Sequence, residues 1–219
     1  MSKVNQDLSN YRESYEKSEL RKDNTPENPL ELFQKWFYEA DESNGVHEAN
    51  AMSLSTIGLD GFPKTRIVLL KRFTWEGFVF YTNYTSEKGK ALELNPSVCI
   101  SFFWPFLERQ IIIKGKVEKI AENLSDGYFE TRPRGSQIGA WASDQSSVVA
   151  NKELLVEEQK LLEASFEGKP IPRPKHWGGY IVKPISIEFW QGRPNRLHDR
   201  IRYTLNSETF EWKKERLNP

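Results

Sequence analysis

Ala51-Met-Ser-Leu-Ser-Thr-Ile-Gly-Leu-Asp-Gly-Phe-Pro-Lys-Thr-Arg-Ile-Val-Leu-Leu70 is the stretch whose reading decides the fold. Ala51 to Ile57 alternates in the period-two manner of a half-buried strand. Gly58 to Pro63, with Asp60-Gly61 at its centre, carries hairpin-turn chemistry. Thr65 to Leu70 then returns as the partner strand. The same grammar recurs downstream. Trp75-Glu-Gly77 is a tight connection, Phe78–Thr82 a further strand and Val98–Trp104 a buried one broken by Pro105. Arg109–Ile120 is a long strand around Ile111-Ile-Ile113. Trp177–Trp190 alternates, with Pro184 expected at an edge or bulge. Ile201–Leu205 is expected to pair with Phe210–Trp212 across Asn206-Ser207-Glu208. Many hairpin-linked strands with few helices between them argue an antiparallel barrel in an α+β, mainly β chain.

The helical segments are few and peripheral. Leu30, Leu32, Phe33, Trp36 and Phe37 recur at helical spacing behind Pro29, so 29–42 reads as an amphipathic helix. Ser86 suits an N-cap for Glu87–Leu94. Leu124–Thr131 and Ser136–Ser143 read as short helices. Lys152–Phe166 reads as an amphipathic one, with Leu154, Leu155, Leu161 and Leu162 as its apolar positions. Residues 1–28 are polar and charged and are expected to form a flexible surface arm, with 29–219 as one domain.

Composition narrows the function. The chain has 219 residues, with 31 Lys and Arg against 31 Asp and Glu, so no global field points to nucleic acid or a membrane and any anion preference is local. Aromatics reach 13%, which suits a compact β core or a flat ligand. The single Cys99 sits in an apolar run, reads as a small buried hydrophobe, and excludes a disulfide framework within the chain. No Cys/His metal spacing, no His-Glu-x-x-His, no P-loop and no Gly-x-Gly-x-x-Gly after a strand is present. No apolar run approaches a membrane span, and the N-terminus lacks a signal-peptide core. A cytoplasmic protein with no metal is expected.

Several segments carry anion chemistry. Arg66, Val68 and Leu70 share one face of their strand among residues that read as buried, so Arg66 calls for a counter-charge, and a phosphate would supply it. Lys71 stands at the strand end. Tyr81-Thr82 with Ser86-Glu-Lys88 joins a strand end to a helix start, a plausible phosphate cradle. Gln110 opens a strand where it could bond a heterocycle edge. Tyr128 and Arg132 lie four apart on a helix, with Ser136 following at a helix start. Together they make a phosphate-monoester pocket of one charged fork and two hydroxyls. Glu188 to Arg202 packs four Arg, His198 and Asp199 into ten residues after Trp190, with Arg196 and His198 two apart. Arg193 and Arg202 have no evident partner and read as surface charge.

In this order and spacing the segments resemble the pyridoxine 5′-phosphate oxidase family, the FMN-dependent pyridoxamine-phosphate oxidases. The match runs from about Arg12 to Pro219. It is most specific at Arg66-Ile-Val-Leu-Leu-Lys71, Glu108-Arg-Gln110, Arg132-Pro-Arg-Gly-Ser-Gln-Ile-Gly-Ala-Trp141, Gln145-Ser-Ser147, Trp177-Gly-Gly179, Glu188-Phe-Trp-Gln-Gly192 and Arg196-Leu-His-Asp-Arg200. The resemblance implies an FMN-binding split β-barrel, Greek-key-like, in a homodimer with FMN at the interface. It implies oxidation of pyridoxamine or pyridoxine 5′-phosphate to pyridoxal 5′-phosphate, with O2 reduced to H2O2. By family pattern Arg66, Ile67, Val68, Leu69, Leu70, Lys71, Tyr81, Thr82, Lys88, Gln110, Gln145, Ser146, Trp190 and Arg200 would contact FMN. Lys71, Tyr128, Arg132, Ser136, Arg196, Leu197 and His198 would hold the substrate, Arg196 and His198 at the reacting end. Arg12 and Tyr15 match positions that fold over the site as a lid. The residue before Lys88, commonly Arg in the family, is Glu87 here, which removes one expected phosphate contact and leaves Lys88 and Arg66 to hold FMN. Two rival readings are a split-barrel flavoenzyme for another substrate, such as a phenazine precursor, and a non-catalytic flavin- or pyridoxal-phosphate-binding protein.

Overall fold

A computed structural model describes residues 7–219 of the chain. Its strands are β1 (Ala51–Ile57), β2 (Pro63–Leu69), β3 (Arg72–Thr74), β4 (Gly77–Asn83), β5 (Ser97–Trp104), β6 (Arg109–Lys119), β7 (Trp177–Gln191), β8 (Asp199–Leu205) and β9 (Trp212–Leu217). Its helices are α1 (Pro29–Asp41), α2 (Glu87–Leu94), α3 (Glu122–Glu130), α4 (Arg134–Ala142) and α5 (Lys152–Ser165). The contacts divide the chain into two compact units. The larger holds residues 50–102 and 112–187. The smaller holds the described residues up to 49 together with 103–111 and 188–219.

In the larger unit the strand order is β2-β1-β5-β6-β7-β4-β3. The hairpin of β1 and β2 is antiparallel from Ala51 opposite Leu69 to Ile57 opposite Pro63, the pairing expected from the Asp-Gly turn. Along β5 Val98, Ile100, Phe102 and Trp104 are buried while Cys99 and Ser101 face the other way. Cys99 is therefore half-buried and not the core residue its apolar run suggests, because alternation outranks local hydrophobicity in a strand. β4 pairs with β7 from Asn83 opposite Trp177 to Phe78 opposite Val182, so Pro184 stands beyond that ladder. Leu54, Phe78, Phe80, Ile100, Phe102, Ile113 and Val182 fill the core. A second cluster gathers Phe129, Ile138, Ile171 and Trp177 beside α3 and α4. β3, absent from the sequence reading, is three residues long and pairs with β4.

Two expectations are met only in part. β2 is an edge strand: Arg66 and Val68 on one face are half-buried and Leu70 just beyond is buried, while Ile67 on the other face is 65% exposed, so Arg66 sits in a half-buried rather than a buried setting. α5 forms where its leucines recur at helical spacing, but none of its residues is fully buried. Leu162 packs half-buried against the Phe129–Trp177 cluster, while Leu154, Leu155 and Leu161 are exposed.

In the smaller unit α1 begins as predicted. Pro29 stands in its first turn, and the Asn28 side chain accepts the Leu30 N–H at 2.9 Å. Trp36 of α1 meets Phe189 edge-on at 5.3 Å, and Phe189 meets Tyr203 of β8 at 5.8 Å. β8 pairs with β9 from Arg200 opposite Leu217 to Leu205 opposite Trp212. The last strand thus starts at Trp212, not Phe210. Phe210 has φ 57°, a left-handed conformation that belongs to a turn. Part of the N-terminal arm is packed: Leu20 and Thr25 are buried, and the Tyr203 hydroxyl donates to Pro26 O at 2.7 Å.

Candidate active site

A cleft of about 690 Å3 opens in the larger unit. β2 contributes Ile67, Val68 and Leu69, with Lys71 just beyond it. β4 contributes Tyr81, Thr82 and Asn83, and α2 contributes Lys88. Tyr128 comes from α3, Arg132 from the α3–α4 turn and Ser136 from α4, with Gln145 and Trp177 completing the wall. Among the described residues this lining includes three cations, Lys71, Lys88 and Arg132, and no carboxylate. A concave surface of that composition selects anions.

One end is built on aromatic rings. Tyr81 and Tyr128 stack with centroids 3.9 Å apart, and Tyr81 and Trp177 stack at 5.5 Å and 10°. The Arg132 guanidinium lies over Trp177 at 4.5 Å, and its Nη1 is buried with no hydrogen-bond partner. Burial pulls the Arg132 pKa down, against the pull of Tyr128. A desolvated guanidinium with an unused donor is stabilised by an arriving anion.

The other end is built on the start of α2. Ser86 caps the helix by accepting the Gly89 N–H at 3.2 Å and donates to Asn83 O at 2.7 Å. Gly89 is required there: a Cβ would lie 2.0 Å from Tyr84 O. Lys88 Nζ donates to Gln145 Oε1 at 2.5 Å and to Ser86 Oγ at 3.2 Å. Burial, and then the positive charge of Arg66, push the Lys88 pKa down to about 8, against the opposing pull of Glu87. Glu87 is itself paired to Lys64 at 2.5 Å. A Lys crowded by another cation and removed from water is stabilised by an arriving anion. The residues therefore fit a phosphate-bearing cofactor such as FMN.

The smaller unit holds a separate cluster. His198 packs on Trp190 at 4.6 Å and on Tyr15 at 6.0 Å. Its Nδ1 accepts the Arg193 N–H at 3.1 Å, so in the neutral ring the proton sits on Nε2. Burial, then Arg196, lower the His198 pKa while Asp199 opposes them, which favours the neutral ring. Asn195 and Arg196 have φ 57° and 61°, consecutive left-handed residues of a kind stored mainly at functional sites.

Among the expected site residues the cleft gathers Ile67, Val68, Leu69, Lys71, Tyr81, Thr82, Lys88, Tyr128, Arg132, Ser136 and Gln145. Leu70 is buried and outside the lining. Arg66 is half-buried, and its Nη1 donates to Leu54 O at 3.1 Å and Thr56 Oγ1 at 2.8 Å on β1. Ser146 is exposed with φ 78°. Gln110 is half-buried on β6 in the smaller unit. Arg200 is held by Glu188 at 2.8 Å and by Asn218 O at 2.9 Å. Leu197 is exposed, and Arg12 Nε donates to Ser9 O at 3.0 Å. Arg193 and Arg202 are not plain surface charge. Arg193 bonds Ser18 O at 2.9 Å, and Arg202 pairs with Glu215 at 3.1 Å. Trp177, Asn83, Thr131 and Ser143 line the cleft without having been given a role. The register of Trp177 opposite Asn83 is what brings the two together, and only strand pairing supplies it.

This antiparallel sheet with peripheral helices defines the class, a split-barrel protein with an anion cleft. A model of "Pyridoxamine 5'-phosphate oxidase" matches residues 41–160, and one of "Pyridoxine 5'-phosphate oxidase C-terminal dimerisation region" matches residues 177–219. The chain belongs to the pyridoxine 5′-phosphate oxidase family. A pyridoxine/pyridoxamine 5′-phosphate oxidase of Flavobacterium psychrophilum is 66% identical over 97% of this chain and 99% of its own length. Another, of Flavobacterium johnsoniae, is 63% identical over 97% and 99%. Among solved structures, PhzG from Burkholderia lata 383 in complex with tetrahydrophenazine-1-carboxylic acid superposes with TM-score 0.84 at 29% identity, covering 90% of this chain and 96% of its own. An FMN-binding, pyridoxamine 5′-phosphate oxidase-related protein of Nostoc punctiforme shares the fold, with TM-score 0.69 at 16% identity, covering 89% of this chain and 100% of its own.

Proposed function

We propose that this chain oxidises pyridoxamine and pyridoxine 5′-phosphate to pyridoxal 5′-phosphate on a bound FMN, with O2 reduced to H2O2. The chain is an oxidoreductase of the pyridoxine/pyridoxamine 5′-phosphate oxidase family. Pyridoxine phosphate and O2 give pyridoxal phosphate and H2O2; the amine form also consumes water and releases ammonia. The observation that carries the reading is the cleft with three cations and no carboxylate among its described lining, with a buried unpartnered donor on Arg132.

FMN, when bound, would supply the two-electron acceptor for the 4′ carbon. Lys88, Thr82 and Gln145 are assigned to its phosphate, and Ile67 to Leu69 offer backbone and apolar contact. Arg66, Leu70, Gln110, Ser146, Trp190 and Arg200 are further FMN contacts on the family pattern. The substrate phosphate is assigned to Arg132, Ser136, Tyr128 and Lys71. Anchoring it turns an encounter into a fixed geometry at the reacting carbon. Arg196 and His198 are assigned to the reacting end. The Nδ1 of His198 is already used as an acceptor, so Nε2–H serves as a donor that orients the 4′ oxygen or nitrogen, rather than as an obligate base. The match of residues 177–219 to a dimerisation region supports a homodimer, and we place FMN at its interface.

Relatives at 66% identity over nearly the full chain favour this reading over the phenazine alternative, which rests on a neighbour at 29%. Purified protein is expected to be yellow, to release FMN on denaturation, and to convert pyridoxamine 5′-phosphate in air with equimolar H2O2. Protein that holds FMN and fails to turn over this substrate refutes the assignment.

A further inference from the structure

Asp199 is buried, and both its carboxylate oxygens are engaged. Oδ2 accepts the Leu20 backbone N–H at 3.0 Å and lies 3.6 Å from Arg193 Nε. Oδ1 accepts from Arg216 Nη2 of β9 at 2.5 Å. Arg193 in turn donates from Nη1 to Ser18 O at 2.9 Å and from its backbone N–H to His198 Nδ1 at 3.1 Å. A second buried carboxylate, Glu108, accepts the Lys17 N–H at 3.0 Å, and its own carbonyl accepts the Gly192 N–H at 2.7 Å. The arm is thus tied at Lys17, Ser18 and Leu20 through main-chain atoms, which fixes its path whatever its side chains. Just upstream, the Tyr15 ring meets Trp190 edge-on at 5.8 Å and His198 at 6.0 Å. It also lies so close over Gly192 that a Cβ there would come within 2.7 Å of the ring.

We propose that Asp199 is a positioning residue for the oxidation: with Glu108 it clamps the arm to the Gln191–His198 loop, so that Tyr15 and His198 are held as one unit. The inference rests on the assignment of His198 to the reacting end. Two buried carboxylates each accepting a backbone amide from the same short segment are costly to leave unpaired, so the clamp stays closed without help from ligand. Asparagine has one acceptor oxygen and cannot serve both Leu20 and Arg216, so Asp199→Asn opens the clamp without changing side-chain size.

The test uses the FMN-loaded protein and the variants Asp199→Asn, Tyr15→Ala and their combination. In Asp199→Asn, backbone hydrogen exchange across Lys17–Leu20 is expected to quicken at least about tenfold. Turnover is expected to fall about tenfold with KM and FMN content little changed, and the double variant to be no slower than the slower single one. Unchanged exchange, or an Asp199→Asn loss that is equally large in the Tyr15→Ala background, overturns the proposal. Should Asp199→Asn not fold, Arg193→Met removes the Ser18 tie and the Arg193–Asp199 pair while leaving Leu20 on Asp199, and must quicken the same exchange and slow turnover; if it does neither, the proposal falls. Hydrogen exchange reads the clamp without catalysis, so a wild-type protein that shows the clamp but no turnover refutes the function and not the clamp.

Discussion

The Arg132 guanidinium lies 4.5 Å from the centre of the Trp177 ring, held there by a stacked wall of Tyr81, Tyr128 and Trp177. Stacking leaves the fork preorganised and its buried Nη1 unspent. Arg132→Met is expected to raise KM for the phosphorylated substrate about 30-fold, roughly 2 kcal/mol for one charged hydrogen-bond set. The same change removes a buried unpaired donor, so the thermal midpoint of the ligand-free protein should stay level or rise. An unchanged KM removes Arg132 from the phosphate pocket.

Lys88 makes binding of the FMN phosphate depend on pH. Its pKa in the ligand-free protein is pushed down to about 8, and a bound phosphate would raise it. Affinity is therefore full below that value. Above it, binding must take up a proton, and affinity falls by up to about tenfold per pH unit. Fluorescence titration of FMN between about pH 7 and about pH 9 should show this decline, and Lys88→Met should be weaker throughout and flatter. A wild-type curve as flat as that of the variant assigns the phosphate elsewhere.

Glu87 holds the Lys88 pKa up against burial and Arg66 while pairing with Lys64 at 2.5 Å, and its negative charge also repels a phosphate at the start of α2. Glu87→Gln should tighten FMN binding two- to fivefold, about 0.5–1 kcal/mol for a partly exposed charge, and alter folding stability little. Weaker binding would mean that the carboxylate supports the site through Lys64.

Gly89→Ala places a methyl group 2.0 Å from Tyr84 O, within the turn that launches α2. A loss of about 2–4 kcal/mol in unfolding free energy is expected, with FMN retention falling alongside because Lys88 moves with the helix start. Calorimetry and bound-flavin absorbance check the two effects. A fully stable, fully loaded variant would mean that this turn yields without disturbing the site.

Much of the molecule follows from local pattern. The β1–β2 hairpin was legible because Asp60-Gly61 sits between two alternating runs, and α1 because Asn28 and Pro29 start it. The cleft residues Tyr128, Arg132 and Ser136 were legible because helix spacing and a helix start place them together. Cys99 was read from the hydrophobicity of its neighbours, and strand alternation overrode it. Arg66 was placed on the right face by alternation, but an edge strand leaves that face half-buried.

The amino-acid sequence by itself determined the elements, the antiparallel fold, the family and the phosphate-binding residue types, because turn chemistry, periodicity and motif order are local properties of the chain. Only the tertiary structure decided which groups stand unpaired and which are spent. Arg132 keeps an unpartnered buried donor, Arg66 gives a donor to β1, and Asp199 binds the arm through Leu20, which lies 179 residues away along the chain. Desolvation and hydrogen-bond satisfaction are set by what lies within a few ångströms in space, and strand register and arm docking fix that across separations no local pattern encodes.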